Sequence, residues 1–159
     1  MTDERKAFFT QWEWEYATTS RVLGNLPPTS LGFRPHPKSM NAGELAWHLV
    51  GSERWFATGF LEGRMPEGKW PEAPSSLREM VQAYALQHQE LADRVRTAPE
   101  EAWERPVPFF GQEIPSAFLL RGPLLNHMIH HRGQFTVYLR LLNAKVPAVY
   151  GPSADDSGK

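Results

Sequence analysis

The stretch LLNHMIHHRGQF, residues 124–135, places three of the protein's six histidines within five residues. Apolar residues here and downstream recur at steps of three and four, which predicts a helix with one apolar face over about 116–143. His131 falls on that face, and His127 lies one turn before it. Because residues four apart share a helix face, both imidazoles can point at one ion. The stretch therefore predicts a core helix whose histidines either bind a metal or simply pack.

The same periodicity predicts three more amphipathic helices upstream, at about 2–26, 41–61 and 75–98. Asn41 is placed to cap the second helix, and Ser75 or Ser76 the third. In both cases a glutamate follows at the position that completes a capping box. Four amphipathic helices in one chain predict an all-α four-helix bundle.

The segments around the last predicted helix are less regular. Residues 103–115 predict a small hairpin between helices three and four, with a turn at 110–112. Pro123 predicts a late start or a bend in helix four. Residues 144–159 are expected to form an irregular tail whose last residues are mobile. We expect one domain over 1–159.

The composition excludes several classes of function. The net charge of −1, with charges interspersed, gives no basic stripe for a nucleic acid. The chain has no cysteine, which excludes disulfides, thiolate-held clusters and a cysteine nucleophile of its own. The N-terminus lacks the pattern of a signal peptide, and no apolar run approaches the roughly 20 residues of a membrane span. We expect a cytoplasmic protein that binds neither nucleic acid nor membranes.

The remaining histidines differ in their expected surroundings. His48 lies on the apolar face of helix two, so it can meet the pair on helix four inside a bundle. Three nitrogen ligands would leave an open coordination position, although buried histidines are also common as hydrogen-bonded core residues. His88 lies in the apolar seam of helix three, where we expect a core or pocket residue. His36 and His130 are expected at the surface.

Polar residues near the histidines are candidates for orienting this site. Arg132 is expected to pair with a carboxylate such as Glu44 or Glu53, or to be solvated. Gln134 and Asn126 could each accept a hydrogen bond from an imidazole N–H, although a surface position is expected for Asn126.

Gly133 costs about 1 kcal/mol relative to alanine inside a helix. Close approach of another helix, room for a ligand, or a plain surface position would each account for it. Trp12, Trp14, Trp47 and Trp55 either line an apolar pocket or belong to the core.

Three segments of the chain are similar to segments of one family. AGELAWHLVGSERW, residues 42–55, resembles a second helix with a single histidine. NHMIHHRGQF, residues 126–135, resembles an H-x-x-x-H-R-G-Q pattern, and VPAVYGPSADD, residues 146–156, resembles a C-terminal ending. These segments and the helix layout resemble the DinB/YfiT-like family of metalloenzymes over most of the chain.

The resemblance implies a four-helix bundle with an up-down-down-up order and a divalent metal, commonly zinc or nickel, on a histidine triad. Carried over to this sequence, the triad is His48, His127 and His131. Some members of the family are transferases or isomerases that use a low-molecular-weight thiol, and homodimers are common. The family is named for induction by DNA damage, which does not imply DNA binding.

Two functions follow from these observations as hypotheses. The first is a metal-dependent transferase or hydrolase of an unidentified small molecule, in which the open position of the metal activates water or a thiol. A thiol cosubstrate would suit a chain without cysteine. The second is a non-catalytic protein of the stress response that binds a metal or a small ligand. A scaffold whose histidines merely pack is a third possibility.

Overall fold

Helices dominate the computed structural model, which describes residues 1–156. The helices are α1 (Asp3–Leu23), α2 (Ala42–Glu62), α3 (Leu77–Arg96), α4 (Glu100–Glu104), α5 (Ser116–Leu119) and α6 (Leu125–Leu141). A short 3₁₀ helix covers Pro28–Ser30, and the strands β1 (Pro106–Phe109) and β2 (Gln112–Pro115) form the hairpin. The all-α fold is confirmed, while the up-down-down-up order stays a prediction. The expected mobility of the last residues concerns 157–159, which lie outside the described residues.

Capping boxes fix the starts of the two helices that follow long loops. Asn41 Oδ1 accepts a hydrogen bond from the Glu44 N–H at 2.8 Å, and Glu44 Oε2 accepts one from the Asn41 N–H at 2.7 Å. Ser76 and Glu79 form the same reciprocal pair at the start of α3. Each box satisfies two backbone N–H groups that a helix start would otherwise leave unpaired. The sequence prediction of both boxes is confirmed, with Ser76 as the cap of α3.

The long helices pack through their apolar faces around one core. α1 and α2 each pack against both α3 and α6. Each large side chain buried in this core contributes about 1.5–3 kcal/mol of transfer free energy. The fully buried side chains include Trp12, Phe60, Tyr84, Leu91 and Phe135. No helix within residues 1–156 is both long enough and apolar enough to cross a membrane.

The hairpin and the turn after it lead the chain into α6. β1 pairs with β2 in antiparallel register, and the connecting residues Phe110 and Gly111 both have positive φ angles, 46° and 80°. Two positive φ angles are the signature of the tight turn that matches the twist of a hairpin. Pro123 then lies in a π-helical turn, Leu120–Leu124, between α5 and α6. The predicted hairpin is confirmed, and Pro123, which has no N–H to donate, lies in a widened turn at the start of α6.

The packing of the core predicts that two leucines of α3 contribute very differently to the free energy of unfolding. Leu91 is fully buried, whereas Leu86 is 75% exposed. Leu91→Ala should lower the free energy of unfolding by about 2–5 kcal/mol because it leaves a cavity, and Leu86→Ala should change it by less than about 0.5 kcal/mol. Urea denaturation followed by circular dichroism measures both. Similar losses for the two variants would contradict the packing of α3.

Candidate metal centre

Three histidines from two helices bring their ring nitrogens together. His48 Nε2 on α2 lies 3.3 Å from His127 Nε2 and 3.2 Å from His131 Nε2, both on α6. Ligand atoms of the three side chains all lie within 4.8 Å of one another. The pair on α6 is one helical turn apart, so their rings leave the same face of the helix. The structure therefore brings together the three residues that the sequence analysis singled out.

Two of the three separations between these nitrogens fit a tetrahedral cation. Zinc binds imidazole nitrogen at about 2.0–2.1 Å, so two nitrogens at the corners of a tetrahedron lie about 3.4 Å apart. The two separations from His48 Nε2 match this value. Three nitrogen donors would occupy three corners around such a cation and would leave the fourth for another ligand.

The surroundings keep these imidazoles neutral. Burial, reinforced by the charges of neighbouring histidines, lowers the pKa of His48 and that of His127 to about 4. Burial also lowers the pKa of His131, and only the hydrogen bond to Gln134 opposes it. Because a metal binds the neutral form of imidazole, the cluster presents its lone pairs over the whole neutral range of pH.

Gln134 sets the orientation of one ring. The Oε1 atom of Gln134 lies 2.8 Å from Nδ1 of His131, which places the ring proton on Nδ1 and the lone pair on Nε2. An oxygen that accepts from the far nitrogen is a common partner of a metal-binding histidine. His127 has no such partner, since its buried Nδ1 makes no hydrogen bond within residues 1–156.

Arg132 faces away from the cluster and forms a buried ion pair. Its Nη1 atom donates to Glu15 Oε2 of α1 at 2.5 Å, and its Nη2 atom donates to the Tyr150 hydroxyl at 2.5 Å. The hydroxyl of Tyr150 in turn donates to Glu15 at 2.9 Å. The expected pairing of Arg132 with a carboxylate is confirmed, but the partner is Glu15 rather than Glu44 or Glu53, and the alternative of a solvated Arg132 is wrong. Arg132 makes no hydrogen bond to the three histidines in the described part of the chain, and it joins α6 to α1 next to His131.

Glu44 makes no hydrogen bond to the three histidines in the described part of the chain. Its carboxylate completes the capping box of α2 and pairs with Arg34 at 3.1 Å. It does line the cleft beside His48. A role of Glu44 in orienting the three histidines therefore stays a prediction that these contacts do not support.

His88 lies in a separate buried network. Its Nδ1 atom is 2.7 Å from Glu53 Oε1, and its Nε2 atom is 3.1 Å from Glu13 Oε2. The ring stacks on Tyr16 with centroids 3.8 Å apart. The second oxygen of Glu53 accepts from Gln87. His88 is thus a hydrogen-bonded core residue, apart from the three histidines of the candidate metal centre.

Four further residues considered in the sequence lie at the surface. Asn126, His36 and His130 are exposed, as expected. Gly133 is also exposed, and no other part of the described chain lies within 4 Å of a Cβ built on it. Close approach of another helix therefore does not explain this glycine.

Clefts border the cluster on two sides. One, of about 610 Å³, is lined by His48 and by apolar side chains that include Met40, Trp47 and Trp70. The other, of about 470 Å³, reaches His131 and Gln134 and is bordered by Lys38. Substrate-sized groups could therefore approach the three nitrogens from either side.

Three of the four tryptophans fit one of the two alternatives that the sequence left open, pocket or core. Trp12 belongs to the core, whereas Trp14 is 59% exposed and fits neither alternative. Trp47 and Trp55 do line cavities. Trp70, which the sequence analysis did not single out, stacks on His48 with centroids 5.3 Å apart. It lies in a loop without periodicity, so no pattern in the sequence could have indicated this contact.

Comparison with known proteins places the chain in a family. A model described as DinB family matches residues 1–158. The chain belongs to the DinB family. Two proteins of Bacillus subtilis (strain 168) are similar to it in sequence. YrdA is 28% identical over 154 residues, covering 96% of this chain and 91% of YrdA. YjoA is 25% identical over 127 residues, covering 77% of this chain and 80% of YjoA.

Solved structures of DinB-like proteins share the fold. The crystal structure of YjoA from Bacillus subtilis superposes with a TM-score of 0.77 at 21% identity, covering 92% of this chain and 99% of that one. A DinB-like protein from Bacillus cereus ATCC 10987 gives 0.79 at 28% identity, with 91% and 97% covered. YrdA and YjoA are both described as uncharacterized. The family assignment therefore indicates the fold and does not identify a reaction.

The His88 network of this DinB-family protein predicts a dependence of stability on pH. Burial disfavours the imidazolium, but hydrogen bonds and charges from Glu53 and Glu13 outweigh burial and raise the pKa of His88. The stabilisation is therefore complete below the unfolded pKa of about 6.5 and is lost as pH rises through the folded pKa. Between these two pKa values, the free energy of unfolding should fall with rising pH in the wild type. It should change less with pH in His88→Gln.

Urea denaturation from pH 6 to 9, in the presence of a chelator, measures this difference. The three histidines of the candidate metal centre have pKa values lowered from 6.5, so they lose their protons below the pH range in which His88 does. Equal slopes for the two proteins would show that His88 carries no extra proton in the folded state.

Proposed function

We propose that this protein is a metal-dependent enzyme, a transferase or hydrolase of a small molecule, with a divalent cation held by His48, His127 and His131. The convergence of three Nε2 atoms, with separations of 3.2 and 3.3 Å from His48, is the observation that carries the proposal. Membership of the DinB family and the match between these distances and tetrahedral coordination support it.

The residues of this chain would hold and orient the cation. The neutral imidazoles supply lone pairs without first releasing protons, and Gln134 fixes the direction of one of them. A bound divalent cation with an open position supplies Lewis acidity, which lowers the pKa of a water or thiol ligand. Imidazole ligands suit zinc and nickel, which are the ions we expect.

The surroundings of the site indicate what a substrate would need. The cleft beside His48 is walled by Met40, Trp47 and Trp70, so it favours an apolar substituent on the substrate. Because the chain has no cysteine, a sulfur nucleophile would have to come from a low-molecular-weight thiol.

One observation favours a second candidate, a non-catalytic protein that binds a metal or a small ligand. The described hydrogen-bond and ring partners of the three imidazoles are other histidines, Gln134, Phe56 and Trp70. None of these partners is a carboxylate that could act as a general base.

Metal binding should depend on the three histidines and on no other histidine nearby. After loading with zinc or nickel and dialysis, the wild type should retain about one ion per chain. His127→Ala and His131→Ala should lose it, because each removes one of three ligands. His130→Ala is the matched control, since His130 neighbours His131 but is exposed. Metal analysis by mass spectrometry, with circular dichroism to verify folding, gives the result.

Equal metal content in His127→Ala and His130→Ala would refute the site. If the site holds, turnover separates the two candidate functions. The loaded wild type should convert either an activated ester, or a thiol with an electrophile, and His127→Ala should not. A fully loaded wild type that turns over neither substrate class would favour the non-catalytic candidate.

Gln134 should tune the affinity for the metal. Gln134→Ala removes the acceptor that fixes the His131 ring, and losses of about 10–100-fold are typical for such partners. Gln134→Glu keeps an acceptor oxygen and should retain the affinity. Competition with a chromogenic chelator measures both variants. Identical affinities for Gln134→Ala and the wild type would show that the hydrogen bond does not orient the ring.

A further inference from the structure

A cavity separate from the three histidines lies between α2, α3 and the loop that joins them. Its volume is about 430 Å³, within the range of roughly 300–1,000 Å³ that is common for small-molecule sites. Three indoles line it, those of Trp47, Trp55 and Trp70, and no histidine does. The candidate metal centre therefore does not explain this cavity.

Two of the three indoles are fixed by hydrogen bonds to the loop between α2 and α3. The Trp47 Nε1–H donates to the carbonyl of Pro71 at 2.8 Å, and the Trp55 Nε1–H donates to the carbonyl of Pro66 at 3.0 Å. With their N–H groups already used, these rings offer a ligand their apolar surfaces rather than hydrogen bonds. Rigid aromatic walls of this kind favour a flat apolar group.

A third indole closes the cavity on the side of His48. The Trp70 ring lies against Gly51 of α2, where a Cβ would come within 2.0 Å of the ring. The same ring stacks on His48 and also borders the apolar cleft. Trp70 is thus a shared wall, which keeps a ligand in this cavity apart from the three histidines.

Cations border the cavity. The Arg54 Nε–H donates to Gln87 Oε1 at 2.9 Å, which holds the guanidinium in place, and its ion pair with Glu90 is long at 3.7 Å. Lys69 makes no hydrogen bond or ion pair within the described residues, and Glu67 contributes one negative charge. Glu67 and the more distant Glu90 offset part of this positive charge, so the unpaired Lys69 is the group that favours an anionic group on the ligand.

We propose that this cavity binds a planar aromatic small molecule that carries an anionic group such as a carboxylate. The aromatic part would lie against Trp47 and Trp55, and the anionic group would meet Lys69 and Arg54. The site stands on its own geometry and does not require the metal-dependent activity.

The test compares two probes of the same shape, 2-naphthoate and the neutral 2-naphthylmethanol, by isothermal titration calorimetry on the full chain. Naphthoate should bind at least about tenfold more tightly, because only it forms charge-assisted contacts. Lys69→Met should reduce this preference, and Trp55→Leu should weaken the binding of both probes. Lys6→Met and Trp14→Leu, which change exposed residues on α1, should match the wild type.

Three results would overturn the proposal. The first is equal affinity for the two probes, or no saturable binding of either. The second is a loss in Trp14→Leu as large as that in Trp55→Leu, which would mean nonspecific adsorption to exposed rings. The third is loss of naphthoate binding in His127→Ala, which would place the ligand at the three histidines. Retained binding in that variant, together with the expected losses, supports a separate site even if the metal-dependent activity fails.

Discussion

The position of α6 depends on one buried ion pair. Arg132 and Glu15 are both almost completely buried, and each finds its partner across the interface between α1 and α6. Either charge alone in that interior would be costly, so the pair favours the register of α1 and α6 that joins them. Because His131 adjoins Arg132, the same register brings the histidines of α6 to His48. The hydroxyl of Tyr150 completes the network and ties the C-terminal segment to it.

Two kinds of histidine occur in the bundle, and nearby carboxylates distinguish them. The imidazoles of the candidate metal centre contact one another and aromatic rings, so burial lowers their pKa values. His88 is more deeply buried than these imidazoles, but carboxylates face both of its nitrogens, and its pKa is raised. One fold therefore holds both neutral imidazoles suited to ligation and an imidazole that favours the charged form.

The sequence predicted those features whose cause is local. The capping boxes and the shared face of His127 and His131 follow from spacing along a helix, and the structure contains both. The pairing of Arg132 with Glu15 could not be predicted, because several carboxylates are equally plausible partners when only the sequence is known. The contact between Trp70 and His48 joins an irregular loop to a helix, so only the three-dimensional path of the loop could reveal it.

The contact between Gly51 and Trp70 has a consequence for evolutionary change in the family. The indole occupies the space that any side chain at position 51 would need. A substitution at position 51 thus forces the ring out, whereas loss of the ring removes the need for glycine. The two positions are expected to vary together among relatives, with glycine at position 51 wherever a large ring stands at position 70. Covariation of the two positions would show in which relatives an aromatic ring covers His48 and in which this side of His48 is open.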